Sequence, residues 1–264
     1  MNTKTGNYIR ILNARILNCS LEEMVSVSEK AIITRRQIFG TGINLNQIYL
    51  LKNNKEFAAA IDKARLCPPD GTPIMWISKW MGSPLKQKVV GPDLTLALCK
   101  LAAEKQYKVF VLGGKEGSAE IALDNIKKMY GVFKSEYYCP PFGFEKDLVE
   151  TEKIVKKLKD SGADILLMAL SAPKQEIFVE KYRREFEIPV IFGAGIAIDY
   201  FAGRIKQAPK WINRTGMEWA YRMVQEPGRL IERYIIHDLP VLIDMRKWAL
   251  AYKRTNRLSK QCEE

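Results

Sequence analysis

The sequence predicts an α/β fold in which helices cover both faces of a mostly parallel, Rossmann-like sheet. Continuous apolar runs at 109–112 and 165–170 have the composition of strands that are buried on both faces. Segments with helical periodicity separate such runs, and strands that alternate with helices usually form a parallel sheet. The 264 residues suffice for one large domain, or for one domain with an appendage.

Strand-like and helical segments alternate along the chain. The aliphatic residues 8–18 predict a first strand, and Ser20 stands three residues before Glu23 in the capping-box pattern that opens a helix. Further apolar, strand-like segments follow at 37–43, 108–114, 132–138, 163–170 and 188–195. Helical segments are predicted at 45–65, 92–106, 117–130, 147–160 and 173–186.

The composition changes near Gly203, where the strand pattern stops and helical periodicity alone continues. Residues 204–264 carry thirteen basic and seven acidic side chains, so less than a quarter of the chain holds half of its net charge of +12. We therefore predict two parts: an α/β catalytic core over 1–203 and a basic, aromatic, helical appendage over 204–264.

Composition narrows the class of protein. A chain that is 47% hydrophobic and 27% charged is neither disordered nor collagen-like. The positive net charge predicts an anionic partner: nucleic acid, an anionic membrane surface or a phosphate-bearing substrate. Five widely spaced cysteines without a C-x-x-C motif, and a single histidine, indicate a reducing cytoplasm and no zinc site. Without a signal-like segment or a long apolar stretch, we expect neither export nor a membrane span.

Two glycine-rich turns are candidate anion sites. Gly113 and Gly114 follow a predicted strand and precede a helix, whose free N–H groups would face a nucleotide diphosphate. Gly193 and Gly195 follow the last strand, shortly before Asp199. Both turns belong at the carboxyl ends of the strands, where open α/β sheets bind ligands. The alternative is that glycine is needed only for tight turns or close packing, since the G-x-G-x-x-G pattern is missing.

Three polar side chains in or beside turns are candidate substrate groups. Asp70, in the rigid segment PPDGTP, is either an ordinary turn former or a general base that takes a proton from a substrate hydroxyl. Asn44 and Asp93 are each flanked by apolar residues. Each is therefore either a helix cap or a contact to a substrate hydroxyl.

A predicted strand-to-helix junction places two more polar residues at the same edge. Pro173 suits the first turn of a helix, but capping gives no reason for Lys174 and Gln175 to follow it. We predict that both face the ligand. His237 has no nearby Ser or Cys partner in the sequence and is interpreted as structural.

Several segments in one order resemble the WecG/TagA/CpsF family of bacterial glycosyltransferases, over roughly residues 8–235. They are the Asn44 segment, the Asp70–Gly71 turn, GPDL at 91–94, VFVLGGKEG at 109–117, PPFGF at 140–144, APKQE at 172–176, FGAGIAIDYFAGRIKQAP at 192–209 and EWAYRMVQEPGRL at 218–230. The resemblance implies transfer of a sugar from a UDP-sugar to a polyprenyl-diphosphate-linked sugar, with UDP-N-acetylmannosamine and an N-acetylglucosaminyl diphospholipid as the familiar pair.

The resemblance also implies roles for individual residues. Asp70 would be the catalytic base, Asn44 would help to place a sugar, and Gln175 and the glycine turns would surround the UDP. One departure concerns the threonine that family members commonly carry two residues before the asparagine. Position 42 here is glycine and Thr41 is displaced by one residue, so a hydroxyl role for Thr41 stays open.

The chemistry predicted is an inverting transfer without a metal or other cofactor. A UDP leaving group needs its charge stabilised by a metal or by fixed donors, and the chain has no D-x-D sequence. We therefore assign that task to helix N-termini and arginines, with Arg222 and Arg229 as the phosphate contacts. Together with Arg233 they fall at spacings of seven and four, which on a continuous helix would form one stripe.

The basic, aromatic segment 204–258 is predicted to dock on the inner face of the bacterial cell membrane, where a polyprenyl-linked acceptor lies. The alternative from another class is a basic nucleic-acid-binding α/β protein, although aromatic residues interleaved with the positive charges suit a membrane equally well. An NAD-linked oxidoreductase lacks the glycine fingerprint. No nucleic-acid partner is expected, and a homo-oligomer is compatible with the sequence.

Overall fold

The computed structural model describes residues 8–12, 14–209, 212 and 217–261, with backbone alone for Arg229 and for 256–261. Its centre is a five-stranded sheet, so the predicted α/β class is confirmed. The strands of this sheet are β3 (Ile38–Thr41), β4 (Val109–Gly113), β5 (Ser135–Tyr138), β6 (Ile165–Ala169) and β7 (Val190–Gly193). Their order is β3-β7-β6-β4-β5 and every pairing is parallel.

Helices cover both faces of this sheet. They are α1 (Leu21–Ile33), α2 (Leu45–Asn53), α3 (Lys55–Lys63), α4 (Thr72–Trp80), α5 (Gly91–Lys105), α6 (Ser118–Tyr130), α7 (Leu148–Ser161), α8 (Lys174–Tyr182) and α9 (Ala197–Phe201). Within β4, Val109 and Val111 belong to one hydrophobic cluster, whereas Phe110 and Leu112 belong to another. Alternate residues therefore pack to opposite faces, which is why the strand is apolar throughout.

The parallel register brings four strand ends to one edge of the sheet. Thr41 pairs with Gly193, Gly193 is level with Met168 on β6, and Gly113 pairs with Ala169. The segments that follow β3, β4, β6 and β7 therefore emerge side by side. Both predicted glycine turns lie at this edge, as expected from the sequence.

Three predicted elements differ in the structure. In place of one strand over 8–18, two strands, β1 (Tyr8–Ile11) and β2 (Ala14–Leu17), pair in a separate antiparallel sheet. The helix predicted at 45–65 is two helices, because the extended backbone of Asn54 ends α2 while its side chain accepts from the Phe57 N–H, 2.9 Å away, and caps α3. The helix α4 was not predicted. The capping box at Ser20 is confirmed, with both reciprocal hydrogen bonds to Glu23 present.

The C-terminal part is helical throughout its described residues from Glu218 onward, apart from one break. It consists of α10 (Glu218–Gln225), α11 (Pro227–Glu232), a π-helical turn (Arg233–Asp238) and α12 (Leu239–Gln261). The helix is not continuous between Arg222 and Arg233, because Glu226 leaves helical geometry and Pro227 opens a new helix. Val241, Met245 and Ala249 on α12 are buried in one of the core clusters. Within the described part of the chain, no helix has both the length and the apolarity that crossing a bilayer requires.

Candidate functional site

Asp70 is held against the loop that follows β3. The Ile43 N–H donates to the Pro68 carbonyl at 2.9 Å, and the Asp70 N–H donates to the Ile43 carbonyl at 2.9 Å. These bonds form a short parallel bridge that prolongs the edge of the sheet. Asp70 therefore occupies a rigid, partly buried position at the carboxyl end of β3. A residue that only forms a turn would not need these contacts.

Gly42 makes room for this carboxylate. A Cβ built on Gly42 would lie 2.8 Å from the Asp70 Cβ and 2.9 Å from its Oδ2. Contacts under 3 Å do not occur for real Cβ atoms, so a side chain at position 42 would displace Asp70. In this chain, glycine at position 42 therefore goes together with the close approach of Asp70.

Asn44 is a helix cap and a partner of Asp70 at the same time. Its Oδ1 accepts from the N–H groups of Asn46 and Gln47, at 3.0 and 3.4 Å, at the N-terminus of α2. Because the oxygen is committed to the cap, the amide nitrogen must point away from the helix. Its Nδ2 donates to Asp70 Oδ2 at 3.3 Å. Capping therefore orients the donor that holds the Asp70 carboxylate.

Two arginines of the C-terminal part face the same carboxylate. Arg233 Nη2 donates to Asn44 Oδ1 at 3.5 Å, and both Arg222 and Arg233 act on Asp70 electrostatically. Arg222 Nε is buried and its N–H donates to no partner among the described residues, so a donor stands unused near Asp70. The side chain of Arg229, the other predicted phosphate contact, lies outside the described residues.

The electrostatics suit a general base. The pKa of Asp70 is raised to about 6: burial is the largest cause and the Glu218 carboxylate also raises it, while the Asn44 hydrogen bond and the charges of Arg222 and Arg233 lower it. A carboxylate with a pKa near 6 is ionised at neutral pH and is a stronger base than an ordinary aspartate. Asp70 is therefore poised to take a proton.

The first glycine turn is built by close approach between strands. A Cβ on Gly113 would lie 2.7 Å from the Ala169 carbonyl oxygen, and φ at Gly113 is +98°. The Gly114 N–H donates to that same carbonyl at 3.0 Å. Packing thus explains these glycines, as the alternative interpretation held, while the loop still opens into α6 at the ligand edge.

Asp199 and Arg204 tie the two glycine turns together. Asp199 Oδ1 accepts from the Lys115 N–H at 3.5 Å, and Arg204 Nη2 donates to the Glu116 carbonyl at 2.8 Å. In the second turn, the Gly195 N–H donates to the Met168 carbonyl at 3.0 Å. The loop that follows Gly114 is therefore bonded to residues that follow the second glycine turn.

Gln175 lies in a buried polar cluster under the second turn. Its Nε2 donates to Glu176 Oε1 at 2.8 Å and to Thr41 Oγ1 at 3.5 Å. A Cβ on Gly193 would lie 2.5 Å from this Nε2, so glycine is required there. Burial raises the pKa of Glu176. Gln175 Oε1 has no partner among the described residues. Thr41 thus contacts Gln175 within the protein.

Lys174 lines a cleft between the first glycine turn and the loop 139–145. The cleft has a volume of about 620 Å³. The Lys174 ammonium pairs with Glu145 and lies 4.9 Å from the centre of the exposed Phe142 ring. Asp93 is exposed in the first turn of α5. The start of that helix is near the second glycine turn, since a Cβ on Gly91 would lie 3.7 Å from the Ala194 carbonyl oxygen.

Arg222 and Arg229 were predicted as phosphate contacts, and that stays a prediction. The structure places Arg222 and Arg233 where their charges act on Asp70. The spacings of seven and four residues already grouped Arg233 with Arg222 and Arg229, so the sequence did point to Arg233. The π-helical turn, which pairs Arg233 with Asp238, has no sequence signature that we recognised. Glu218 and the two tyrosines that act on Arg222, Tyr200 and Tyr234, were also missed.

The sequence matches the glycosyl transferase WecG/TagA/CpsF family over residues 9–255. That match covers nearly the whole chain. The chain belongs to this family. It is therefore a glycosyltransferase, and the resemblance predicted from its motifs is confirmed.

Two curated relatives of this family member carry the same name, N-acetylglucosaminyldiphosphoundecaprenol N-acetyl-beta-D-mannosaminyltransferase. The relative from Bacillus spizizenii strain W23 is 31% identical over 176 residues, which are 67% of this chain and 66% of the relative. The relative from Bacillus subtilis strain 168 is 25% identical over 221 residues, which are 83% of this chain and 84% of the relative. Both names describe an acceptor that is a sugar diphosphate on a polyprenyl lipid.

Proposed function

We propose that this glycosyltransferase moves N-acetylmannosamine from its UDP conjugate to N-acetylglucosamine on a polyprenyl diphosphate, with inversion and without a metal ion. The observation that carries the proposal is the Asp70 carboxylate, with its raised pKa, beside Asn44 and two arginines at the ligand edge of the sheet. The names of the two relatives support the choice of sugars.

Asp70 would act as the general base of a single displacement. It takes the proton of the acceptor hydroxyl while that oxygen forms a bond to the anomeric carbon of the donor sugar. The bond from the anomeric carbon to the phosphate oxygen breaks, and UDP leaves with the electron pair. Attack from the face opposite the leaving group inverts the anomeric centre. General-base catalysis of this kind contributes about 10²–10⁴-fold.

The donor diphosphate would lie between the glycine turns and the arginines. The N-terminus of α6, opened by the loop that contains Gly113 and Gly114, offers free N–H groups to phosphate. Arg222 supplies an unpaired guanidinium N–H, and Lys174 lines the adjoining cleft. Fixed positive groups of this kind stabilise a leaving diphosphate as it gains charge. Within the described residues, no three His, Cys, Asp or Glu side chains cluster as metal ligands.

The C-terminal part would dock the site on the inner face of the cell membrane. Ile235, Leu239 and Ile243 are exposed and recur every four residues, and Ile236 is exposed beside them. Such apolar residues favour burial in the interface of a bilayer, while lysines and arginines nearby attract anionic lipid. Because this stripe begins two residues after Arg233, docking would bring the lipid-linked acceptor to Asp70.

The experiment is a panel of UDP-sugars assayed for UDP release with a synthetic N-acetylglucosaminyl diphospholipid. We expect release with UDP-N-acetylmannosamine and a product with the inverted anomeric configuration. Asp70→Asn should abolish release, while Asp124→Asn, an exposed aspartate on α6, should retain it. Release with another UDP-sugar alone would correct the donor, and product that retains configuration would refute the single displacement.

A further inference from the structure

We propose that Asp238 is a positioning residue for the transfer reaction, and that the π-helical turn 233–238 exists to let it hold Arg233 against Asn44 and Asp70. The inference deepens the proposed function, on which it rests, because Asp70 must be the base. Asp238 itself would touch no substrate.

An unbroken series of polar contacts links Asp238 to the catalytic carboxylate. Asp238 Oδ2 lies 3.4 Å from Arg233 Nε, and Arg233 Nη2 donates to Asn44 Oδ1 at 3.5 Å. Asn44 Nδ2 then donates to Asp70 Oδ2 at 3.3 Å. Arg233 Nε is buried and makes no hydrogen bond among the described residues, so its contact with Asp238 is an ion pair. The attraction between the two charges holds the planar guanidinium beside Asp238, with Nη2 on the side of Asn44.

The π-helical turn accounts for the pairing of Arg233 with Asp238. These residues are five apart, and in an α-helix of 3.6 residues per turn they would point about 140° away from each other. A π-helix bonds each residue to the fifth one along, so residues five apart come to nearly the same face. The irregular turn therefore has a specific consequence, which is an ion pair between two residues that would point apart on a regular α-helix.

Asp238 is buried, with only 6% of its surface exposed. Its ionised carboxylate therefore costs free energy that a carboxylate on the protein surface would not cost. The charged and titratable groups that act on it are Arg233 and His237. His237 is itself engaged, since its ring stacks on Tyr49 of α2 with centroids 4.1 Å apart. That stack packs the π-helical turn against the helix whose cap is Asn44.

The test compares Asp238→Asn with wild type in steady-state transfer to the lipid-linked acceptor across a pH series. We expect kcat/KM to fall about tenfold. Asp70 faces Asn44, Glu218, Arg222 and Arg233; the Asn44 hydrogen bond and the two arginines lower its pKa, and Glu218 raises it. With Arg233 released, the acid limb of the pH profile should move to higher pH, and Asp238→Glu should restore part of the activity. Glu232→Gln, an exposed neighbour of the turn, is the control and should behave as wild type.

A double variant separates positioning from stability. In an Arg233→Lys background, Asp238→Asn should cost little further activity, because the group that it orients is already gone. A lowered melting temperature with wild-type kcat/KM and an unmoved pH profile would overturn the positioning role. If Asp70→Asn is inactive while Asp238→Asn is normal, the proposed function stands and this inference fails. If Asp70→Asn is fully active, both fail.

Discussion

Replacement of Asp70 by Asn should make the protein more stable and almost inactive. The folded protein raises the pKa of Asp70 from an ordinary 3.8 to about 6, chiefly by burial. Above pH 6 the folded state therefore carries a carboxylate that costs free energy relative to the unfolded chain. A shift of roughly two pKa units corresponds to about 3 kcal/mol, and the partial exposure of Asp70 lowers the effect to about 1–3 kcal/mol.

The sign of the effect gives a distinctive pH dependence. Below about pH 4, Asp70 is protonated in both the folded and the unfolded state, so wild type and Asp70→Asn should be equally stable. As the pH rises from 4 to 6, Asp70 loses its proton in the unfolded chain before it does so in the folded protein. The wild type therefore becomes less stable than the variant. Above pH 6 the difference should be constant, with a melting temperature several degrees higher for the variant.

The assay is urea unfolding of both proteins at pH values from 4 to 8, beside turnover of the same preparations. Asn keeps the size of the side chain and can accept from Asn44 Nδ2, but it cannot take a proton, so turnover should fall at least about a hundredfold. Asp124→Asn, on the exposed face of α6, controls for the loss of one charge. A variant that is no more stable than wild type at pH 7.5, or that turns over normally, would refute the reasoning.

Three further outcomes follow from the site and its surroundings. Transfer should survive excess EDTA; loss of activity that Mg²⁺ or Mn²⁺ restores would contradict leaving-group stabilisation by arginines. Gly42→Ala should reduce turnover about ten- to a hundredfold, because its Cβ must displace Asp70, whereas Gly228→Ala, with open space around it, should not; equal turnover in both would contradict the steric argument. Leu239→Glu should weaken binding to anionic liposomes in co-sedimentation at low salt, and Val149→Glu, which is on the core and even more exposed than Leu239, should not; unchanged binding by both would refute the docking surface.

Substitution is preferable to truncation for the docking test. Removal of everything after Gly203 would also remove Val241, Met245 and Ala249, which are buried with the core. Such a protein would lose packing as well as any membrane contact.

The sheet was predictable because its signal is local. Strands buried on both faces must be apolar at every position, and β4, β6 and β7 show this directly in the sequence. The hairpin at 8–17 and the break at Asn54 were missed, because a turn can interrupt an apolar or helical pattern without changing it. Boundaries of this kind depend on single residues such as Asn54.

The site was predictable only in part. Asp70 and Asn44 stand in short motifs, but their mutual hydrogen bond joins residues 26 positions apart. Arg233 donates a hydrogen bond to Asn44, which is 189 positions away in the sequence, and no local pattern encodes such a contact. The break at Glu226 separates Arg222 from Arg233, so a single helical stripe does not describe them, and the pairing of Arg233 with Asp238 depends in addition on the π-helical turn.

The most direct test of the central claim is the pH dependence of kcat/KM for the wild-type protein with a lipid-linked acceptor. If Asp70 is the base, the acid limb follows its ionisation in the free enzyme. With a pKa of about 6, the rate at pH 5 should be about a tenth of its plateau, and the rate at pH 7 about nine-tenths. Activity that is flat from pH 5 to 7, or an acid limb that remains unchanged in Asp70→Asn, would contradict the account.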